Sequence, residues 1–168
     1  MAVVGLEPSC LLTMRDEYLV MGLGPLAQRL ATQAMLFEEF VAREHAAGRF
    51  APAFEALPQS TALLHGHCHQ KAFDAMGPVQ RVLSLVPGLT VRTVESSCCG
   101  MAGSFGYEAQ HFDLSMKMAE AALLPAVRAA DDKTLIVADG TSCRHQIADG
   151  AGRAAIHVAR VLDAALVR

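Results

Sequence analysis

The sequence predicts a three-layer α/β domain, with a mostly parallel sheet of four to five strands and helices on both faces. Three observations carry that expectation. Apolar residues make up 52% of the 168 residues and charged residues 18%, enough apolar chain for the core of one globular domain. Short apolar or alternating runs recur along the chain, separated by stretches of helical periodicity, which is the βαβ pattern of a parallel sheet. All five cysteines fall just after one of those runs or at the start of the helix that follows. In a parallel sheet such positions share the carboxyl edge, where α/β folds place their ligand sites.

The first strand runs from Ala2 to Leu6 and leads into Glu7-Pro8-Ser9-Cys10. From Leu11 to Gly48 the pattern is helical, interrupted at Gly22, Gly24 and Pro25. Leu26, Leu30, Ala34, Phe37 and Val41 recur at three- and four-residue steps and predict one amphipathic face. Phe50 to Ser60, with Pro52 and Pro58, reads as a loop. Thr61 to Leu64 is the second strand, ending in His65-Gly66-His67-Cys68-His69-Gln70, and a helix is expected from about Lys71 to Val86, closed by Pro87-Gly88. Leu89 to Val94 alternates as a third strand, then Cys98-Cys99-Gly100 precedes a long helix expected from about Tyr107 to Ala130. Leu135 to Ala138 is the fourth strand, followed by Asp139-Gly140-Thr141-Ser142-Cys143. A short helical turn, a loop around Gly150-Ala151-Gly152, a fifth strand at Ala155-Ile156-His157 and a final helix complete the chain.

A net charge of −3 and the absence of Trp give no basis for nucleic acid as a partner. No apolar run reaches the length of a transmembrane segment, and Met1-Ala2-Val3-Val4 lacks the basic start of a signal peptide. Five cysteines, an odd and widely spaced set without an export signal, read as reduced thiols in a cytoplasmic setting.

Cys98 and Cys99 are neighbours, so their Cα atoms stand about 3.8 Å apart, too close for a relaxed disulfide between them. Aiming both sulfurs at one place requires a sharp turn, which Gly100 permits. A multi-thiolate metal or cluster site explains that arrangement; two buried cysteines acting as small hydrophobes is the alternative. Helix N-termini at the same edge favour thiolate over thiol, and soft thiolates select iron–sulfur or zinc. The spacing of Gly100, Gly103 and Gly106 differs from a dinucleotide fingerprint and suggests close packing around the cysteines. His67 is near enough to Cys68 to serve as a further ligand or as a hydrogen-bonding support. Glu7 and Asp139 read as turn or capping residues. Val3 to Cys10 echoes Ile136 to Cys143, both an apolar strand, a turn and Ser-Cys entering a helix. On that echo, residues 1–50 are the end of a preceding repeat with linking helices, and 51–168 a complete repeat, together a fragment of a larger protein. Cys68, Cys98, Cys99 and Cys143 then form the site, with Cys10 nearby but dispensable.

His67-Cys68-His69, Cys98-Cys99-Gly100 and Gly140-Thr141-Ser142-Cys143 resemble the cysteine-rich CCG domain. That domain occurs in the B subunit of heterodisulfide reductase, in iron–sulfur subunits of glycolate and lactate oxidation systems, and at the C-terminus of large FAD-linked oxidases. The longer strings Gly5 to Cys10, His65 to Lys71 and Cys98 to Tyr107 look most like the last group. The resemblance implies an iron–sulfur cluster, of the [4Fe–4S] type, or zinc, held by Cys68, Cys98, Cys99 and Cys143. It also implies electron transfer with a flavin-containing domain or subunit whose FAD is bound elsewhere in the parent protein, and 2-hydroxy acids as substrates. The isolated chain is then not catalytic alone. The other reading is a structural or docking domain with zinc-binding or metal-free cysteines. Gly140 departs from the family by standing where its repeat has the first cysteine of C-x-x-C, which leaves four cysteines in this unit, a number that a [4Fe–4S] or a zinc site takes.

Overall fold

A computed structural model describes residues 1–168 and shows an α/β fold with two parallel sheets. The main sheet contains β3 (Thr61–His65), β4 (Thr90–Thr93), β5 (Leu135–Ala138) and β6 (Ala155–Ile156), in the order β4-β3-β5-β6. The small sheet pairs β1 (Val3–Gly5) with β2 (Ala34–Leu36), in the register Val3–Ala34, Val4–Met35, Gly5–Leu36. The two sheets divide between residues 36 and 61.

Strand periodicity explains the layering. Ala62 and Leu64 of β3 and Val137 of β5 point to one face. There they join Val41 of α4 (Phe37–Ala46), Val79, Val82 and Leu83 of α6 (Met76–Leu83), and Val161 and Leu162 of α10 (Val158–Ala165). Leu63, Ile136 and Ala138 point to the other face, against Leu123 and Val127 of α8 (Leu123–Ala129) and Ile147 of α9 (Thr141–Ala151). Each fully buried Leu or Val contributes about 1.5–3 kcal/mol, so both faces are secured and the expected three layers result. A third cluster, with Leu11 and Leu12 of α1 (Pro8–Leu12), Ala34, Leu36 and Ala75, fastens the small sheet.

The structure departs from the expected elements in four places, one being that the short turn and the loop expected around Gly150-Ala151-Gly152 are a single helix, α9, which runs to Ala151. Residues 34–36 are a strand, where one helical face was expected. The helix α3 (Pro25–Ala31) ends at Thr32, Ala34 and Leu36 are buried beside β1, and Leu26 is 71% exposed. A three-residue strand between two helices is too short to show an alternating period. The expected helix over 71–86 is two helices, α5 (Cys68–Ala72) and α6, joined through Asp74 with φ 53°. The expected helix over 107–130 is two 3₁₀ turns, then α7 (Phe112–Glu120) and α8. Pro78 and Pro125 each lie in the first turn of the second helix, where a missing N–H costs no hydrogen bond. Those prolines are the signals that the helices restart.

Candidate metal centre

The chain leaves β3 for β4 on one side, and β5 lies on the other. The gap between the carboxyl ends of β3 and β5 is therefore the point where the strand order reverses, and it is where the cysteines gather. Cys68 is the first residue of α5 directly after β3, Cys98 and Cys99 lie in the turn after β4, and Cys143 is the third residue of α9 after β5. Cys99 and Cys143 are buried, with their sulfurs 3.2 Å apart. Cys98 neighbours both Cys68 and Cys99, so the four thiols run from a half-buried outer side to a buried inner one. No disulfide joins them. Cys10, the third residue of α1, is exposed and outside the groups of converging donor atoms.

The turn at Cys99 depends on Gly100. Its φ is 91°, and a Cβ there would overlap the Ser115 carbonyl oxygen while standing 3.1 Å from Gln146 Nε2. Gln146 is itself buried and donates to the Ser115 carbonyl at 3.2 Å and to its hydroxyl at 3.0 Å. On the other side, the Lys71 ammonium donates to the carbonyl oxygens of Ser96 and, at 3.0 Å, Ser97, which pins the segment leading into the cysteine pair. The Gly100 N–H donates to Cys98 Sγ at 3.3 Å.

The protons in the cluster are shared unequally. Hydrogen bonds from Cys68 and then Cys99 hold the Cys98 thiol far below its usual pKa, and the Gly100 and Ala102 N–H groups act in the same direction against burial. A hydrogen bond from Cys99 lowers Cys143 to about 5 despite burial, helped by the nearby His65 and His67 imidazoles. Cys68 is raised by its bond to Cys98, and Cys99 by its bond to Cys143. Two thiolates each held by a neighbouring thiol form a donor set suited to a thiophilic metal, which takes cysteine as thiolate. Burial lowers Lys71, while the thiolates around it act to keep its charge.

His67 is the N-cap of α5. Its Nδ1 accepts from His69 N at 3.2 Å, and its own N–H donates at 2.9 Å to Gln70, completing a capping box. Its Nδ1 is 3.9 Å from Cys68 Sγ. Gly140 is required by this imidazole, since a Cβ at 140 would overlap the His67 ring and stand 3.1 Å from Cys143 Sγ. The space of a side chain at 140 is thus filled by His67.

Glu7 and Asp139 are capping residues, as expected, and each caps a helix remote in sequence. Glu7 Oε2 accepts from Thr141 N at 2.9 Å and Thr141 Oγ1 at 2.8 Å at the start of α9. Asp139 accepts from Val158 N at 3.0 Å at the start of α10, and from Gln70 Nε2 at 2.7 Å. Two groups went unassigned from the sequence. His65 is 1% exposed, with one ring nitrogen within 4.8 Å of the sulfurs of Cys99 and Cys143. Its signal was the strand period, because His65 follows Leu63 on the face that packs against Cys99 and Cys143. Glu38 is fully buried beside Asp139 and His157, and burial followed by the Asp139 charge raises its pKa to about 9. It lies at the start of α4, whose strand β2 was itself not expected, so no pattern marked it.

Over 168 aligned residues the chain is 28% identical to D-2-hydroxyglutarate dehydrogenase of Escherichia coli K12, covering 96% of this chain and 15% of that protein. It is 25% identical over 147 residues to the C subunit of the anaerobic glycerol-3-phosphate dehydrogenase of the same organism, covering 86% of this chain and 35% of that relative. The chain thus spans well under half the length of either relative. No family model matches the chain, and no solved structure does. No helix is long and apolar enough to cross a membrane.

Proposed function

We propose that this chain is the iron–sulfur electron-transfer domain of a larger FAD-linked oxidoreductase acting on 2-hydroxy acids, a CCG-type domain with Cys68, Cys98, Cys99 and Cys143 as ligands. The observation that carries it is the meeting of four cysteine thiols, from three separate segments, at the switch point of the sheet. Similarity to portions of two dehydrogenases supports the oxidoreductase setting, and the name of the first supports a 2-hydroxy acid as the substrate of the parent protein. In this reading FAD and substrate are bound elsewhere in that protein. Residues 1–50 are the end of a preceding repeat, and 51–168 are the complete one.

The bound cluster would supply one-electron transfer. The protein's own residues hold and tune it. The four thiolates provide attachment, and the Lys71 ammonium, the N–H groups of the Gly100 turn and the N-terminus of α9 offset their charge. Cys99 and Cys143 form a buried inner wall, while half-buried Cys68 and Cys98 form the outer side that an electron partner, the flavin domain or subunit, would approach. No side chain here is asked to make or break substrate bonds.

The test is anaerobic reconstitution with iron and sulfide. The expected result is broad visible absorption that bleaches on reduction, an electron paramagnetic resonance signal from the reduced protein, and loss of both in single Cys→Ser variants at 68, 98, 99 and 143. Cys99 and Cys143, with sulfurs 3.2 Å apart, need open only to about 3.7 Å to share one tetrahedral ion, which favours zinc as the second reading. A colourless reconstituted protein that binds stoichiometric zinc through the same cysteines would replace the first reading with the second.

A further inference from the structure

The least satisfied group at this edge is His65. Its imidazole is 1% exposed at the end of β3, and its Nε2 is buried without a hydrogen-bond partner. A buried polar atom left unpaired is costly to the fold unless something else completes it. Its Nδ1, by contrast, is held by Ser96 Oγ at 3.1 Å. The Lys71 ammonium braces the same serine, through its carbonyl oxygen and at 3.5 Å from its hydroxyl. Metal-bound histidines show this division, one ring nitrogen fixed by an oxygen and the other left free for the ion. A ring nitrogen of His65 and the sulfurs of Cys99 and Cys143 all lie within 4.8 Å of one another, and all three residues are buried.

We propose that His65 is a metal ligand through Nε2, completing the inner wall with Cys99 and Cys143. With Nδ1–H donating to Ser96 Oγ, the lone pair is left on Nε2, the buried ring nitrogen without a hydrogen-bond partner. His67 is the less suitable of the two candidates, because its Nδ1 already accepts from His69 N at the start of α5. The ion is a thiophilic one, either an iron of a cluster or a single zinc, since two cysteines and an imidazole suit both. The proposal rests on the reading of this edge as a thiolate metal site and adds a nitrogen to it.

Two probes distinguish the sources and the outcomes. Reduced protein is titrated anaerobically with cobalt(II), and separately reconstituted with iron and sulfide. Each sample is examined for nitrogen hyperfine coupling. In the wild-type protein we expect a directly bound nitrogen in whichever arm loads. In His65→Asn the coupling should disappear and cobalt should bind at least about tenfold more weakly. His65→Cys should restore the affinity without nitrogen coupling and with stronger sulfur-to-cobalt charge-transfer absorption. It also serves as the informative variant if His65→Asn fails to fold. A coupling that survives in His65→Asn would belong to His67 or His69 and overturn the proposal, as would a loaded wild-type protein with no bound nitrogen. Failure of the wild-type protein to load either metal would instead overturn the thiolate site itself, and this proposal with it.

Discussion

The chain contains the same short construction twice, with opposite results. In the first, β1 leads through Glu7 into α1, whose second and third residues are Ser9 and Cys10. In the second, β5 leads through Asp139-Gly140 into α9, whose second and third residues are Ser142 and Cys143. Both helices begin with their thiol in the first turn. Yet Cys10 is exposed and outside the converging donor groups, while Cys143 is 1% exposed and 3.2 Å from Cys99. What separates them is the neighbouring strand. The partner of β1 is β2, which runs straight into α4 without a cysteine. The partner of β5 is β3, which ends at His65, leads into His67 and Cys68, and pairs in turn with β4, ahead of Cys98 and Cys99. A strand-to-helix turn supplies one thiol; adjacent strands bring other thiols to it.

Removal of each thiol in turn should separate the two turns by the largest margin. Cys143→Ser should abolish loading of cobalt or iron, because it removes a lowered-pKa sulfur from the inner wall and leaves Cys99 without its partner. Cys10→Ser should load as the wild-type protein does. Equal losses in the two variants, measured as metal bound per chain, would mean that the first construction also contributes to the site.

A second test leaves every sulfur in place and alters only what brings Cys99 to Cys143. Gly100→Ala would force a side chain onto a backbone with φ 91° and into the Ser115 carbonyl. Strain of about 1–3 kcal/mol at positive φ adds to a similar overpacking cost, so urea denaturation should show a loss of about 3 kcal/mol or more. Gly5→Ala, in the first construction, should cost less. Its φ is not positive, and its new Cβ would meet chiefly the Leu11 side chain, at 2.8 Å from Cδ1. A Gly100→Ala variant as stable as the wild-type protein would show that the turn can relax without Gly100.

The same contrast shows what the sequence could convey. The strand-then-cysteine order placed Cys68, Cys98, Cys99 and Cys143 at one edge, and the structure brings those four together. β3, β4 and β5 were legible because each carries an apolar or alternating run of at least four residues between helices, and the two-residue β6 was marked by the glycines before it. β2 was not, because three residues between two helices look like one more helical turn. The order of strands, which decides that Cys10 stands apart, is a tertiary property. It depends on which apolar faces meet, and no local pattern states that. His65 was hidden for a different reason. Three histidines around one cysteine look alike in sequence, and only the bond from Nδ1 to Ser96 separates the buried, unpaired ring from the two on α5.

The smallest expected effect concerns the one direct link between the two constructions. Glu7, on the turn of the first, caps α9, which carries the thiol of the second. Its other oxygen accepts from Ser9 Oγ at 3.1 Å. Burial alone would raise the carboxyl pKa, but the hydrogen bonds from Thr141 N–H, Thr141 hydroxyl and Ser9 outweigh it, so the folded-state pKa lies below the usual value. A depressed carboxylate contributes stability that is present above its unfolded pKa and lost as pH falls through the folded one. Glu7→Gln keeps an acceptor for Thr141 N but loses the negative charge at the N-terminus of α9, a change worth about 0.5–1 kcal/mol at a partly exposed site. At neutral pH the variant should therefore unfold at slightly lower urea. The difference should shrink as pH drops through the acid range, because the wild-type carboxylate becomes a neutral acid. Metal loading should persist, since Cys143 is held mainly by the packing of α9 against α8 and β5. A gap that stays constant down to low pH would show that Glu7 acts by packing alone, and that the charge on the first construction does nothing for the second.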